Sequence, residues 1–179
     1  MKKVIVPLAE GCEEMAAVIA IDILRRAGLR VEAVSLRKGP VRCSRDVLIV
    51  PDREWDAADL DSYDLILLPG GTGGMENLRA DRRVLEALRN FAAAGKIVAA
   101  ICAAPLVLQA AGLLEGRSAT CHPGVAADLQ AGRREERVVV DGNIVTSQGP
   151  GTAMEFALKI IELVAGAEQA KSVAEGLVL

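Results

Sequence analysis

The chain carries four cysteines and a single histidine, the side chains best suited to supply a nucleophile and its partner. No two cysteines form a CxxC pair, and one histidine is too few for the usual zinc ligand sets, so no metal site is predicted. Free thiols remain, either as small core residues or as reactive groups. The cysteines are Cys12, Cys43, Cys102 and Cys121, and the histidine is His122.

Cys102 lies in the most informative segment of the sequence. The apolar run Ile97–Ile101 stops at this cysteine, and an Ala-rich segment containing Pro105 follows at once. The pattern predicts a tight strand-to-helix turn that projects the thiol above the edge of a sheet, where small neighbours tolerate a strained backbone. A helix beginning one residue later would direct its free N–H groups at the sulfur and favour the thiolate. A buried structural cysteine is the alternative interpretation.

A glycine-rich stretch follows another buried run, Leu65–Leu68. The stretch Gly70–Gly74 lacks the Lys-Ser/Thr of a nucleotide-binding loop, so a loop that closely approaches a small substrate is the better interpretation. Together with the N–H groups at the start of the predicted helix, including that of Ala103, the backbone of Gly70 or Gly71 could form an oxyanion hole.

His122 is the one imidazole available to Cys102. It precedes Pro123, a residue typical of the first position of a helix. An imidazole within reach of the thiol could take its proton or orient it, although a histidine that merely caps a helix fits the pattern equally well. Arg26 and Arg45 are by default exposed side chains, and either could bind an anion near a site.

Strand and helix patterns alternate along the chain and predict an α/β protein with a mostly parallel sheet, helices on both faces, and one domain over residues 1–179. Ligands in such folds bind outside the carboxyl ends of the strands. The predicted strands are Val4–Leu8, Val31–Ser35, Leu65–Leu68, Ile97–Ile101, Arg137–Val140 and Ile144–Thr146, with short extended segments at Val41–Cys43 and Val47–Val50. The predicted helices are Glu13–Ala27, Arg82–Ala94, Ala103–Ala111, Thr152–Val164 and Glu168–Leu177.

Composition narrows the function classes. The formal net charge is −3 and no basic stripe alternates with aromatic residues, so no stable nucleic-acid complex is expected. The apolar stretch Ile97–Leu114 is interrupted by proline, glutamine and glycine, which makes it a poor membrane span. Six apolar residues, Val4–Ala9, are too few for a signal-peptide core, and the protein is expected to be cytoplasmic. The first predicted helix is apolar over more of its surface than one buried face requires, which favours a homodimer.

Several ordered segments carry a family resemblance that extends from about Lys3 to Leu179. The segments are Leu8–Glu14, Cys43–Arg45, Leu67–Gly71, Ala99–Pro105, His122–Pro123 and Thr146–Thr152. In this order and spacing they resemble the ThiJ/PfpI superfamily, in particular its DJ-one branch. The resemblance implies a single ThiJ/PfpI-type domain, a flavodoxin-like three-layer sandwich, a homodimer with active sites near its interface, and no cofactor.

The resemblance also implies roles for the candidate site residues. Cys102 would be the easily oxidised nucleophile and His122 its neighbour. Arg45, with Arg26 of the partner subunit, would lie close to the site. The residues expected to line the site and supply backbone donors are Gly70, Gly71 and Ala103.

Members of this branch are credited with cofactor-free conversion of methylglyoxal and glyoxal to hydroxy acids and with repair of early glycation adducts on proteins and nucleotides. One departure matters: Ala16 stands where relatives place a glutamate on the first helix. Its absence is expected to raise the cysteine pKa and to remove a general acid/base, for which Glu13 could partly compensate. A redox-sensing or chaperone-like protein with an oxidisable Cys102 is the alternative function, and a cysteine peptidase or amidase is a third.

Overall fold

A mixed sheet of seven strands forms the centre of the computed structural model, which describes residues 1–179. Its order is β10-β11-β7-β6-β1-β2-β5, and every neighbouring pair is parallel except β10 with β11. The strands are β1 Lys3–Leu8, β2 Arg30–Ser35, β3 Val41–Arg42, β4 Leu48–Ile49, β5 Arg53–Glu54, β6 Leu65–Leu68, β7 Ile97–Ile101, β8 Ser118–Ala119, β9 Gly132–Arg133, β10 Val138–Asp141 and β11 Ile144–Ser147. The pairs β3–β4 and β8–β9 lie outside the central sheet.

Helices cover both faces of this sheet, so the fold has three layers. One face carries α1, α5 and α6, and the other carries α2, α3 and α4. The helices are α1 Glu14–Arg26, α2 Thr72–Ala80, α3 Arg82–Ala93, α4 Pro105–Ala110, α5 Ala153–Ala165 and α6 Ala167–Gly176.

Strand alternation divides the interior into two hydrophobic cores. In β6, Leu65 and Leu67 pack under the α1 layer, while Ile66 and Leu68 pack under the opposite layer. All four side chains are buried, as expected for a central strand covered on both faces. Because few aromatic residues are present, the cores are built largely from Val, Leu, Ile and Ala.

The predicted α/β sandwich with a mostly parallel sheet is confirmed, and Leu65–Leu68 and Ile97–Ile101 have the predicted bounds. Two local predictions were wrong. The glycine-rich stretch becomes helical at Thr72, because the tertiary structure places α2 directly after the turn at Gly71. The helix after Cys102 begins at Pro105, since Cys102, Ala103 and Ala104 form a turn of their own.

Part of α1 faces outward with apolar side chains. Met15 is 55% exposed and Val18 is 49% exposed, whereas most apolar residues of this helix are buried. A homodimer that covers this face stays a prediction. No helix combines the length and apolar character needed to traverse a bilayer.

One buried charge network joins β2 to the segment before β6. Glu32 is 7% exposed, and its carboxylate accepts a hydrogen bond from the Tyr63 hydroxyl at 2.5 Å. Arg30 and Arg53 form ion pairs with the same carboxylate at 3.0 and 2.7 Å. Burial opposes ionisation, but the Tyr63 hydroxyl and the two guanidinium groups outweigh it and hold the pKa of Glu32 below its ordinary value.

Replacing Glu32 with glutamine is expected to lower the free energy of unfolding by about 1–3 kcal/mol at neutral pH, because the buried hydrogen bond and ion pairs lose their charge. A carboxylate with a depressed folded-state pKa stabilises fully above its unfolded pKa of about 4.3, and that stabilisation is lost as the pH falls through the folded value. The free energies of unfolding of the original and Glu32→Gln proteins, measured by urea denaturation, should therefore become equal as the pH is lowered. Glu54 is exposed and supplies a control, since Glu54→Gln should leave the free energy of unfolding unchanged. If the Glu32→Gln protein were as stable as the original at neutral pH, the stabilising role of the Glu32 carboxylate would be contradicted.

Candidate active site

A cavity of about 560 Å³ opens at the carboxyl ends of β6 and β7. Five residues proposed from the sequence line it, namely Gly71, Cys102, Ala103, His122 and Arg45. Glu13, from the segment that leads into α1, lines it as well. The parallel sheet brings these residues together because the loops leaving neighbouring strands meet at one edge.

Cys102 has the backbone conformation that the turn was predicted to require. Its φ is 68°, in the left-handed region that non-glycine residues seldom occupy. Two backbone hydrogen bonds hold it there: Cys102 N–H donates to the Ser147 carbonyl at 2.9 Å, and the Cys102 carbonyl accepts from His122 N–H at 2.8 Å. Such a conformation costs about 1–3 kcal/mol and persists only where surrounding structure enforces it.

Two glycines make room for this cysteine. A Cβ at Gly70 would lie 2.4 Å from the Cys102 Cβ and 3.0 Å from its Sγ, so only glycine fits behind the thiol. Gly71 has φ 86°, and a Cβ there would lie 2.3 Å from the Gly11 carbonyl oxygen. Gly70 therefore packs against the nucleophile, while Gly71 presents its backbone to the cavity.

The N–H groups around the sulfur differ from the sequence expectation. A helix was expected to offer several free donors, but Ala104 N–H donates to the Ile101 carbonyl at 3.1 Å and closes the turn. The backbone groups that favour negative charge on the Cys102 sulfur, and so lower its pKa, are the N–H groups of Gly71 and Ala103. They come from two different loops, and both residues line the cavity.

Burial raises the pKa of the Cys102 thiol, and the negative charge of Glu13 acts in the same direction. The N–H groups of Gly71 and Ala103 oppose this effect without overcoming it. The raised pKa favours a thiol at rest. This direction agrees with the increase expected from Ala16, whereas the N–H groups expected to stabilise a thiolate do not outweigh burial. The thiol must therefore lose a proton during any nucleophilic attack.

His122 is fixed by glycines on both sides. Gly124 N–H donates to its Nδ1 at 3.0 Å, and a Cβ at Gly149 would lie 3.2 Å from its Cδ2. Because Nδ1 accepts this bond, the neutral ring carries its proton on Nε2. His122 thus caps the short 3₁₀ helix Pro123–Asp128, which is the capping interpretation that the sequence left open. The nitrogen that remains available in the neutral ring is the Nε2–H donor.

Two glutamates organise the rim of the cavity. Glu13 Oε2 accepts the Ala16 N–H at 2.6 Å and thereby caps the start of α1. Glu14 is buried, and its carboxylate accepts from the Ser44 hydroxyl and the Arg45 N–H, each at 2.7 Å. Those bonds fix the loop that carries Arg45. From the sequence, Glu13 is expected only to compensate in part for the missing glutamate, because it lies three residues from Ala16. The structure adds that Glu13 and Cys102 line the same cavity.

The remaining candidates lie elsewhere. Ala16 is fully buried in the same core cluster as Cys102, and it does not line the cavity. Arg26 ends α1, the far end of the helix from Glu13, and pairs with Asp22 at 2.7 Å. Within this chain it is not part of the site.

A cavity of about 620 Å³ lies beside Arg37 and Lys38. Its lining contains no cysteine, serine or histidine. The smaller cavity at Cys102 is therefore the candidate for nucleophilic chemistry.

The fold and site define a flavodoxin-like protein with a cysteine at a strand-to-turn elbow. The profile of the DJ-1/PfpI family matches residues 2–163, and the chain belongs to this family. This confirms the resemblance inferred from the ordered segments.

Relatives match along nearly the whole chain. The Parkinson disease protein 7 homolog of Danio rerio is 45% identical over 99% of this chain and 97% of its own. Protein dj-1beta of Drosophila melanogaster is 44% identical with the same coverage, and its crystal structure superposes with a TM-score of 0.96, covering 99% of this chain and 98% of that one. A Caenorhabditis elegans relative, glutathione-independent glyoxalase DJR-1.2, is 36% identical over 95% of this chain and 92% of its own.

Replacing Gly70 with alanine is expected to lower the free energy of unfolding by about 1–3 kcal/mol, because the added methyl group overlaps the side chain of Cys102. Urea denaturation measures this loss. Gly151→Ala is the matched control, since a Cβ there meets nothing within 4 Å, and it should change stability by no more than about 0.5 kcal/mol. Equal free energies of unfolding for the Gly70→Ala and Gly151→Ala proteins would contradict the close approach of Gly70 to Cys102.

Proposed function

We propose that this protein is a cofactor-free, cysteine-dependent glyoxalase. Its substrates would be the small 2-oxoaldehydes methylglyoxal and glyoxal, and early glycation adducts of the same aldehydes would be further substrates for a deglycase reaction. The observation that carries the proposal is the strained Cys102 at a cavity, where backbone N–H groups from two loops favour negative charge on its sulfur. The glyoxalase named in Caenorhabditis elegans supports this choice of reaction.

The first step is addition of Cys102 to the aldehyde carbon. The thiol gives up its proton, the sulfur forms a bond to carbon, and the carbonyl electron pair moves to oxygen. The developing oxyanion would accept hydrogen bonds from the Gly71 and Ala103 N–H groups and from the Nε2–H of His122. Protonation of that oxygen completes a hemithioacetal.

The second step transfers hydrogen between the two carbons as a proton. A base removes the C–H proton of the hemithioacetal, an enediolate forms, and the neighbouring carbon is then protonated to give a thioester of the hydroxy acid. Water hydrolyses the thioester and restores the Cys102 thiol. The sum is addition of one water to the oxoaldehyde, so no oxidant, reductant or cofactor is required.

Glu13 is our choice for the base in this chain. It lines the cavity, and its charge acts on Cys102. Oε2 caps α1, whereas Oε1 accepts no hydrogen bond and is free to take a proton. The position that the resemblance assigns to a glutamate holds Ala16, a methyl group without acid or base function. Glu13 is then the carboxylate left to move protons at this cysteine.

Cys102→Ala should abolish methylglyoxal consumption and lactate formation, because it removes the atom that binds the substrate. Activity of the original protein should rise with pH below the thiol pKa, since burial keeps Cys102 protonated at neutral pH. Cys121→Ala is the control: this thiol is buried, does not line the cavity, and its loss should preserve the rate. Absence of turnover in the original protein would refute the glyoxalase proposal and favour a redox function instead.

Glu13→Gln should lower kcat by about 10²–10⁴-fold, because glutamine retains an oxygen to cap α1 but cannot accept the substrate proton. Ala16→Glu should restore activity to the Glu13→Gln protein by placing a carboxylate at the position the family uses. Glu10→Gln serves as the control, since Glu10 is exposed and lies outside the cavity. Comparable kcat values for the Glu13→Gln and original proteins would show that another group, such as water, transfers the proton.

A further inference from the structure

A second pair of thiols lies behind the rim of the cavity and takes no part in the proposed reaction. Cys12 follows β1, and Cys43 follows β3. Their sulfurs are 3.3 Å apart, and the two residues are 0% and 4% exposed. They are separated by 31 positions in the chain, so tertiary structure alone brings them into contact.

The backbone on both sides of this pair is fixed. Gly11 N–H donates to the Arg42 carbonyl, and Ser44 N–H donates to the Cys12 carbonyl, each at 2.8 Å. These bonds bracket the two cysteines and keep their side chains adjacent. Disulfide formation would shorten the distance between the sulfurs from 3.3 Å to about 2 Å.

We propose that Cys12 and Cys43 form a redox-active dithiol that hydrogen peroxide converts to an intramolecular disulfide. In the first step one thiolate attacks a peroxide oxygen, the O–O bond breaks, and the sulfur becomes a sulfenic acid as water is released. The second thiol then attacks the sulfenic sulfur, the S–S bond forms, and the sulfenic oxygen leaves as water. Two thiols are oxidised, one peroxide is reduced, and both sulfur protons appear in water.

Cys43 is the sulfur that reacts first. It is the less buried of the two, and it lies directly before Ser44 on the rim of the cavity. Burial raises the pKa of both thiols, but at Cys43 the hydrogen bond from Cys12 acts in the opposite direction. A hydrogen bond from Cys12 S–H would favour loss of the Cys43 proton, and at 3.3 Å Cys12 is placed to act as the resolving thiol.

A disulfide here would fix the corner of the site where α1 begins. Cys12 immediately precedes Glu13, and Cys43 immediately precedes Ser44 and Arg45. Glu14 already holds the second segment through its two hydrogen bonds. The covalent link would join the same two segments, and it does not depend on any reaction at Cys102.

The test uses the Cys102→Ala chain, which keeps three of the four cysteines. After treatment with hydrogen peroxide, denaturation and alkylation, the number of free thiols should fall from three to one. Peptide mapping should find a Cys12–Cys43 cross-link that dithiothreitol reverses. Removing Cys121 in the same background is the matched control and should leave the cross-link intact.

The double variant Cys12→Ala/Cys102→Ala tests whether Cys12 resolves the Cys43 sulfenic acid or takes no part in the reaction. Without Cys12, the Cys43 sulfenic acid has no adjacent partner and should proceed to sulfinate, which dithiothreitol does not reverse. The proposal is overturned if Cys12 and Cys43 remain alkylatable under excess peroxide. It is equally overturned if Cys43 becomes sulfinate while Cys12 is still present, or if the cross-link joins Cys121. These readouts do not involve methylglyoxal, so they stand whether or not the protein is a glyoxalase.

Discussion

The left-handed backbone at Cys102 is the constraint on which the site depends. The Cys102 backbone, with φ 68°, donates its N–H to the Ser147 carbonyl and accepts from the His122 N–H, and these two partners belong to segments far apart in the chain. Gly70 must approach without a side chain, and parallel pairing of β6 with β7 sets that approach. The central sheet therefore does more than provide a core. Its register keeps the Cys102 backbone in the strained conformation that places the thiol at the cavity.

Electrostatics at the site favour a neutral resting state. Burial and the charge of Glu13 raise the pKa of Cys102, while the Gly71 and Ala103 N–H groups stabilise negative charge. In the proposed reaction a substrate oxygen would take over that charge, and the same donors would then stabilise the oxyanion. Stabilising charge that develops during the reaction more than charge on the free protein is what catalysis requires. With Ala16 in place of a glutamate, the proposed proton transfer is assigned to Glu13, on the turn before α1.

The two thiol sites of this molecule differ in their physical surroundings. Cys102 faces a cavity and has no adjacent sulfur, so it is suited to a substrate carbon. Cys12 and Cys43 face each other inside the core, and their sulfurs are 3.3 Å apart. Proximity to a second thiol, rather than access to a ligand, governs their chemistry. Both sites are adjacent to the segments around Glu13 and Ser44, which are joined by the buried carboxylate of Glu14.

The sequence by itself determined the alternating α/β architecture, because strand and helix differ in the period of their apolar residues. It also predicted the strained turn at Cys102, since an abrupt end to a buried apolar run followed by small residues is a local signal. Local pattern could not show that α2 begins at Thr72, because a glycine-rich stretch has weak helical preference and packing decides its structure. Tertiary structure alone decided that Glu13 and Cys102 line one cavity, that His122 Nδ1 accepts a hydrogen bond from Gly124, and that the sulfurs of Cys12 and Cys43 are in contact. Those facts depend on distances between residues far apart in the chain, which sheet pairing and helix packing set and residue spacing does not encode.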